Sequence, residues 1–270
     1  MIRILFIGDI IGQDGLELTL DLLPRMRQDL KIDFTLANGE NLDKGKGVSE
    51  ISARKLLDSG VQVITTGNHV WDGKDAERLL NKWNNLLRPH NYPDSTPGSG
   101  VFKTALKDNL KIVAVNLQGL SYLQSIRCPF KTLDEILAGQ GSLQPAIFIV
   151  DFHAESTAEK QALAWYVDGK VSAVIGTHTH VQTADERILP RGTGYITDAG
   201  MTGPYDSVIG MDREVAIKRF IEHRPYYYKM AEGNIRFNGV LIEINERELK
   251  TVKIKRLNYS KAEYRGIKTD

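Results

Sequence analysis

Cysteine is almost absent: Cys128 stands alone in 270 residues. A single thiol excludes both a disulfide framework and a thiolate metal cluster, and it fits the reducing cytoplasm. A charge excess of either sign is also missing, since 35 basic residues face 34 acidic ones. That balance argues against an extended nucleic-acid surface, which carries a basic excess, but leaves room for a small phosphorylated substrate. No apolar run reaches the length of a membrane-spanning helix, so no membrane partner is expected. The apolar opening at 1–7 is soon followed by Asp9 and has no small-residue cleavage pattern, so it reads as a strand. Repeats, low-complexity segments and linker-like stretches are lacking as well. The simplest organisation is one domain over 1–270, long enough to bury a sizeable core.

What is present is an alternation of strand-like and helix-like periods. Residues 2–7 form a β-rich run ending in Gly8-Asp9, and 15–30 then place Leu16, Leu20, Leu23, Met26 and Leu30 at helical spacing despite Pro24. A second strand, 34–37, precedes Asn38-Gly-Glu-Asn41, after which Ser49 caps a helix that Gly60 ends. A third, 61–65, precedes Gly67-Asn-His69, with Asp72 read as the cap of the helix carrying Ala76, Leu79, Leu80 and Trp83. The proline-rich stretch 87–103 reads as an irregular loop with no core role, and its Arg88, His90, Asn91 and Tyr92 as surface residues. Further strands are expected at 111–115, 146–150, 171–175 and 194–197, with capping-box spacing at Thr132 and Glu135 and again at Ser156 and Glu159. Residues 200–210 read as turns, 212–223 as a helix, and 235–257 as a hairpin around Asn245-Glu246 inside a C-terminal region 226–258. The alternation predicts an α/β fold, layered and mainly parallel with an antiparallel edge, covered by helices.

The chemistry-bearing residues fall in one kind of place. Asp9, Glu40, Asn41, Asn68, His69, His153, His178 and His180 all lie just past the carboxyl end of an expected strand. In an α/β fold those ends share the edge where ligands bind, so these residues should converge. His178 and His180, two apart after a strand, should point the same way. Carboxylates, amide oxygens and imidazoles without thiolate suit manganese, iron, zinc or cobalt, and the set is too large for one tetrahedral ion. Two ions are the natural count. Such a pair suits in-line displacement at phosphorus, with Glu40 the candidate bridge.

The blocks Gly8-Asp9, Gly39-Glu-Asn41, Gly67-Asn-His69, His153 and Thr177-His-Thr-His180 stand in the order found in calcineurin-like metallophosphoesterases, which the chain resembles. Ile11 replaces the first histidine of that pattern, Glu40 the bridging aspartate, and Val70 the acid after the motif histidine. With Trp71-Asp72, Asp151-Phe-His153 and Thr197-Asp-Ala-Gly200, these departures make the chain similar to one bacterial branch, the YmdB-type phosphodiesterases, over nearly its whole length. The resemblance implies a metallophosphoesterase fold and a homo-oligomeric cytoplasmic enzyme. It also implies two di- or trivalent ions (iron, manganese or zinc) and hydrolysis of small cyclic nucleotides such as 2′,3′-cyclic AMP by a hydroxide the ions share.

Carried over residue by residue, the resemblance has Asp9, Asn41 and His180 hold one ion, Asn68, His153 and His178 the other, and Glu40 bridge them. His69 follows a ligand, so it is assigned to proton delivery at the leaving alkoxide; its plainer reading is a loop-packing residue. Asp151 shares strand parity with His153, either by chance or to orient that ring. Tyr226-Tyr-Tyr228 is read as a subunit contact and His223 as a helix-end cation. The competing functions are a phosphomonoesterase or nucleotidase on the same scaffold, and a non-catalytic nucleotide sensor. A nucleotidase would need extra cations near the blocks, and none is obvious there.

Overall fold

The computed structural model describes residues 1–107, 110–139 and 145–266, so the last four residues of the expected domain lie outside them. In chain order the first half holds β1 (Ile2–Ile7), β2 (Asp9–Ile10), α1 (Gly12–Asp29), β3 (Phe34–Asn38), α2 (Glu50–Asp58), β4 (Val63–Thr65) and α3 (Ala76–Lys82). Next come β5 (Val101–Lys107), β6 (Leu110–Gln118), α4 (Pro129–Ala138), β7 (Ala146–His153), α5 (Thr157–Tyr166) and β8 (Ala173–Thr177). The remainder is β9 (Arg187–Ile188), β10 (Gly194–Ile196), β11 (Met201–Pro204), α6 (Arg213–Glu222), β12 (Ile235–Ile244), β13 (Thr251–Ser260) and α7 (Lys261–Gly266).

The strands form two sheets. One runs β2-β11-β12-β1-β3-β4 with β13 alongside β12, and the other β5-β6-β7-β8-β10-β9. Each has a parallel centre that the alternation predicted: β1-β3-β4 in the first, β6-β7-β8-β10 in the second. Antiparallel strands β13, β5 and β9 lie at edges, and antiparallel β12 lies inside the first sheet against β1 and β11.

Alternation along each strand explains the layering, because successive side chains point to opposite faces. Ile4 and Phe6 of β1, with Leu36 and Val63, meet Ile112, Ile147, Ile149 and Ile175 of the second sheet in a buried core between the sheets. Leu5 and Ile7 face the other way, onto Leu16, Leu23 and Met26 of α1, Leu56 of α2 and Leu79 of α3. Val113, Val115, Phe148 and Val150 likewise meet Leu133 of α4 and Leu163 of α5. The result is helix, sheet, sheet, helix, with every layer closed by the apolar stripe the sequence pattern displays.

Several local expectations change. The 87–103 stretch is structural: Leu87 and Tyr92 are buried, Arg88 donates to the carbonyls of Pro89, Thr96 and Pro97, and Asn91 donates to those of Gln118 and Arg127. Those prolines remove donors, and the neighbouring polar side chains satisfy the free carbonyls, so Arg88 and Asn91 are internal glue and not surface. Thr132 caps nothing; α4 starts earlier with Pro129 in its first turn, whose missing N–H costs nothing there. The turn-rich 200–210 stretch contains β11, joined in parallel to β2 and antiparallel to β12. Ser49, Ser156 and Asp212 do cap their helices, accepting from Ser52 N, Glu159 N and Val215 N. Among the described residues no helix is long and apolar enough to cross a membrane.

Candidate metal centre

Both sheets present the carboxyl ends of their parallel strands to the same rim. Asp9 follows β1, Glu40 and Asn41 follow β3, and Asn68 and His69 follow β4, all in the first sheet; His153 ends β7, and His178 and His180 follow β8, in the second. The site is therefore built across the gap between sheets. Directly beneath it the sheets are tied by polar side chains: Asn38 Nδ2 donates to Asp151 Oδ2 at 3.1 Å, Thr65 Oγ1 donates to the same oxygen, and Asn116 exchanges two hydrogen bonds with the backbone of Thr66.

Glu40 is common to two groups of converging side chains, Glu40 with His153 and His178, and Glu40 with Asp9 and His180, whose ligand atoms lie within 4.8 Å of one another in each group. Around the first, His153 Nε2 lies 3.1 Å from Glu40 Oε1, 3.0 Å from His178 Nδ1 and 3.1 Å from Asn68 Oδ1. Around the second, His180 Nε2 lies 4.0 Å from Asp9 Oδ1 and 3.2 Å from Asn41 Nδ2. The seven residues expected to bind metal thus come together. Asn41 turns its amide nitrogen inward, so its oxygen faces the site only when the amide is turned over.

Other contacts select which imidazole nitrogen faces in. His153 Nδ1 donates to Thr177 Oγ1 at 2.9 Å, and that hydroxyl donates to Asp151 Oδ1 at 2.7 Å. Asp151 therefore orients His153 through Thr177, so its shared strand parity with His153 is not chance. His180 Nδ1 donates to the Ile209 carbonyl at 2.9 Å, and His178 Nε2 sits 3.1 Å from Glu155. In each ring the nitrogen left over points to the cluster, the arrangement that metal-bound imidazoles use. Space is equally constrained, because a Cβ on Gly67 would sit 2.1 Å from His153 Cδ2.

The electrostatics show why these groups need a cation or one another. Burial pushes Asp9 well above the ordinary carboxylate value, and the carboxylates of Asp198, Glu40 and Asp151 add to the rise against the pull of His153. Burial would raise Glu40 too, but His153, His69 and His178 outweigh it and hold it at about 2. His153 is opposed by burial yet lifted to about 9 by Glu40, Asp9 and Asp151. His178 drops to about 3, through burial and then the neighbouring His153 charge, and burial also lowers His180. The donor set fits a bound cation. Asp9 Oδ1 is buried with no hydrogen-bond partner among the described residues, and neutral imidazoles and carboxylates without thiolate suit a borderline or hard ion.

His69 stands at the rim. Its N–H donates to Glu40 Oε2 at 3.2 Å, and its Nδ1 lies 2.8 Å from Asp72 Oδ2. Asp72 is thus the partner of His69 and not a helix cap: it closes the 3₁₀ turn Val70–Asp72, and α3 begins four residues later, at Ala76 after Asp75. The 3₁₀ turn brings residues three apart onto one side, so Asp72 takes the place of the acid that Val70 lacks beside His69.

A family model described as "YmdB-like protein" matches residues 5–257. The chain belongs to this YmdB-like family. Among its relatives, the 2′,3′-cyclic-nucleotide 2′-phosphodiesterase of Bacillus subtilis (strain 168) is 50% identical over 256 residues, covering 94% of this chain and 96% of the relative. A crystal structure described as a novel phosphatase, from Mycoplasma pneumoniae, superposes with a TM-score of 0.90 at 34% identity, covering 96% of this chain and 93% of its own. A hypothetical protein from Thermus thermophilus does so with 0.88 at 38%, covering 96% and 99%. The expected α/β architecture, mainly parallel with antiparallel strands and covered by helices, is the one the chain shares with these two structures.

Two residues that sequence reading misses support the centre. Lys160 precedes Leu163, Ala164 and Val167 at spacings of three, four and seven, the apolar stripe of α5. A lysine heading such a stripe is a signal of a buried, paired cation. Glu155 carries no such signal, since only the turn after His153 brings it to His178.

Proposed function

We propose that this chain is a metal-dependent phosphodiesterase hydrolysing small cyclic nucleotides, with 2′,3′-cyclic nucleotides such as 2′,3′-cyclic AMP as its substrate class. The observation that carries the reading is the double grouping around Glu40. One carboxylate common to two ligand sets is what a bridged pair of ions requires. The substrate class is supported by the Bacillus subtilis relative named for it. In this reading Asp9, Asn41 and His180 would hold one ion and Asn68, His153 and His178 the other, with Glu40 common to both sets. Manganese, iron or zinc suits the donors. The enzyme is read as a homo-oligomer of single-domain subunits in the reducing cytoplasm, in keeping with its one cysteine.

When bound, the ions supply charge neutralisation at phosphorus and activation of the attacking water. The residues of the chain do the rest. Asp151 and Thr177 keep His153 Nε2 turned inward, the Ile209 carbonyl does the same for His180 Nε2, and Glu155 at His178 Nε2 leaves that ring's Nδ1 facing in. Asp72 holds His69 by Nδ1, which leaves Nε2 to give a proton to the leaving ribose oxygen. The His69 N–H bond to Glu40 keeps that ring beside the cluster.

The test incubates protein loaded with manganese, iron or zinc with 2′,3′-cyclic AMP, 3′,5′-cyclic AMP and AMP, beside a His69→Ala control. Hydrolysis of the 2′,3′ diester is expected, with His69→Ala slower by about 10²- to 10⁴-fold at unchanged metal content. Preference for AMP would move the reading to a nucleotidase. No diester hydrolysis with any of the ions would move it to a nucleotide sensor.

A further inference from the structure

His178 and His180 do not follow strand alternation. Both lie past the end of β8 with left-handed backbone, φ 98° and 65°, a conformation that side chains other than glycine adopt only when the surroundings impose it. The residue between them shows what imposes it. Thr179 donates its N–H to Asp198 Oδ2 at 3.0 Å and its hydroxyl to the same oxygen at 2.7 Å. That oxygen also accepts from Lys160 Nζ at 2.8 Å, while Asp198 Oδ1 accepts from Gly200 N at 2.8 Å.

Lys160 and Asp198 are buried at 1% and 0% exposure. They join α5 to the segment following β10, and that segment lies tight against the end of β8. Ala199 N donates to the Gly176 carbonyl at 2.8 Å, and a Cβ on Gly176 would come within 1.7 Å of the Thr197 carbonyl oxygen. A carboxylate in such a place needs a countercharge beside it, which Lys160 provides at 2.8 Å. The two Asp198 oxygens accept both Thr179 donors and the Gly200 N–H at once, more than the single oxygen of an amide could offer from the same position. Neither Lys160 nor Asp198 belongs to the two ligand groups.

We propose that the buried Lys160–Asp198 pair is a positioning device for the metal centre: through Thr179 it holds the 178–180 turn so that His178 enters one ligand group and His180 the other. This rests on the metal reading above. Without the anchor, the turn relaxes toward extended backbone and the two imidazoles lose their separate directions.

The test compares wild type, Thr179→Val, Thr179→Ser and the double variant Lys160→Met with Asp198→Asn, using manganese as the probe. Binding is followed by calorimetry and metal content, and the unfolding of each metal-free protein is recorded beside it. Thr179→Val is expected to weaken manganese binding by about tenfold, and the double variant by about 100-fold, the range found when partners of metal ligands are lost. Thr179→Ser keeps the hydroxyl and retains wild-type affinity. Thr179→Val binding manganese as tightly as wild type overturns the proposal, as does a Thr179→Ser variant as weak as Thr179→Val. Thr179 is half-buried, so its variants decide the matter even where the double variant fails to fold. A wild type that binds no divalent ion instead overturns the metal reading beneath the proposal.

Discussion

Thr177→Val is the sharpest probe of how the centre is built. The Thr177 hydroxyl donates to Asp151 Oδ1 at 2.7 Å, accepts from His153 Nδ1 at 2.9 Å, and lies 3.4 Å from Asn38 Nδ2. Thr177, Asp151 and His153 are all fully buried. Valine keeps the β-branched shape and strand preference at this position in β8, so the substitution removes the hydroxyl and little else. Leaving a buried donor or acceptor without its partner costs about 1–3 kcal/mol each, so two lost partners give roughly 2–6 kcal/mol, with about 3 kcal/mol the expected centre. At about 2–4 °C per kcal/mol for a large domain, the melting temperature of the metal-free protein should fall by roughly 6–12 °C. The loosened His153 ring should also weaken manganese binding by about 10- to 100-fold. Differential scanning calorimetry of the metal-free protein and titration calorimetry with manganese read the two effects separately. A stability loss below about 1 kcal/mol with unchanged manganese affinity would refute the reasoning that Asp151 acts on His153 through Thr177.

Asp72→Asn should leave stability within about 1 kcal/mol, because the His69–Asp72 pair is partly exposed. It should lower kcat by less than the loss in His69→Ala; a variant as slow as His69→Ala, or as fast as wild type, would contradict an orienting role. Gly67→Ala should displace the His153 ring, since the added Cβ would sit 2.1 Å from His153 Cδ2, and metal content after dialysis should drop; retained stoichiometry would count against that packing. The metal-free protein should lose stability as pH rises from about 7 to 9 in urea titrations. The folded pKa of His153 is raised to about 9, so its contribution is present below its unfolded value and lost as pH climbs through 9. Asp151, raised by burial to about 6, and Asp9, raised well above its ordinary value, act with the same sign, because the folded state holds protons that the unfolded chain has released. Glu40, held at about 2, His178, lowered to about 3, and His180, lowered by burial, work oppositely, but their gains are complete above their unfolded values near 4.5 for the carboxyl and 6.5 for the imidazoles. Saturating manganese should reverse the slope by favouring the deprotonated ligands; a slope of one sign in both forms would contradict this assignment.

The local alternation and the motif blocks are legible from the chain alone because they depend on short-range physics. Branched apolar runs such as 146–150 and 171–175 point to strands, and Ser49, Ser156 and Asp212 mark helix starts through bonds to residues three positions on. Where a neighbour distant in the chain supplies the partner, local reading fails. Met201–Pro204 contains glycine and proline and looks like a turn until β2 and β12 pair with it. Arg88 and Asn91 look like surface residues until the carbonyls they satisfy are brought to them.

The same division holds at the centre. Asp9, Glu40, Asn41, Asn68, His69, His153, His178 and His180 can be named from sequence because each follows a strand, and strand ends in an α/β fold share a rim. That this rim belongs to two sheets is not legible there. Alternation shows which residues face a core, not whether the strands opposite belong to the same sheet. Only the stacking of the sheets puts Asn38 and Thr65 against Asp151, turns Asp72 to His69, and buries Lys160 on Asp198 under the turn that carries the last two histidines. The sequence by itself determined which side chains are available as donors. The tertiary structure decided which of their atoms face inward, because that depends on hydrogen bonds between residues as many as 169 positions apart.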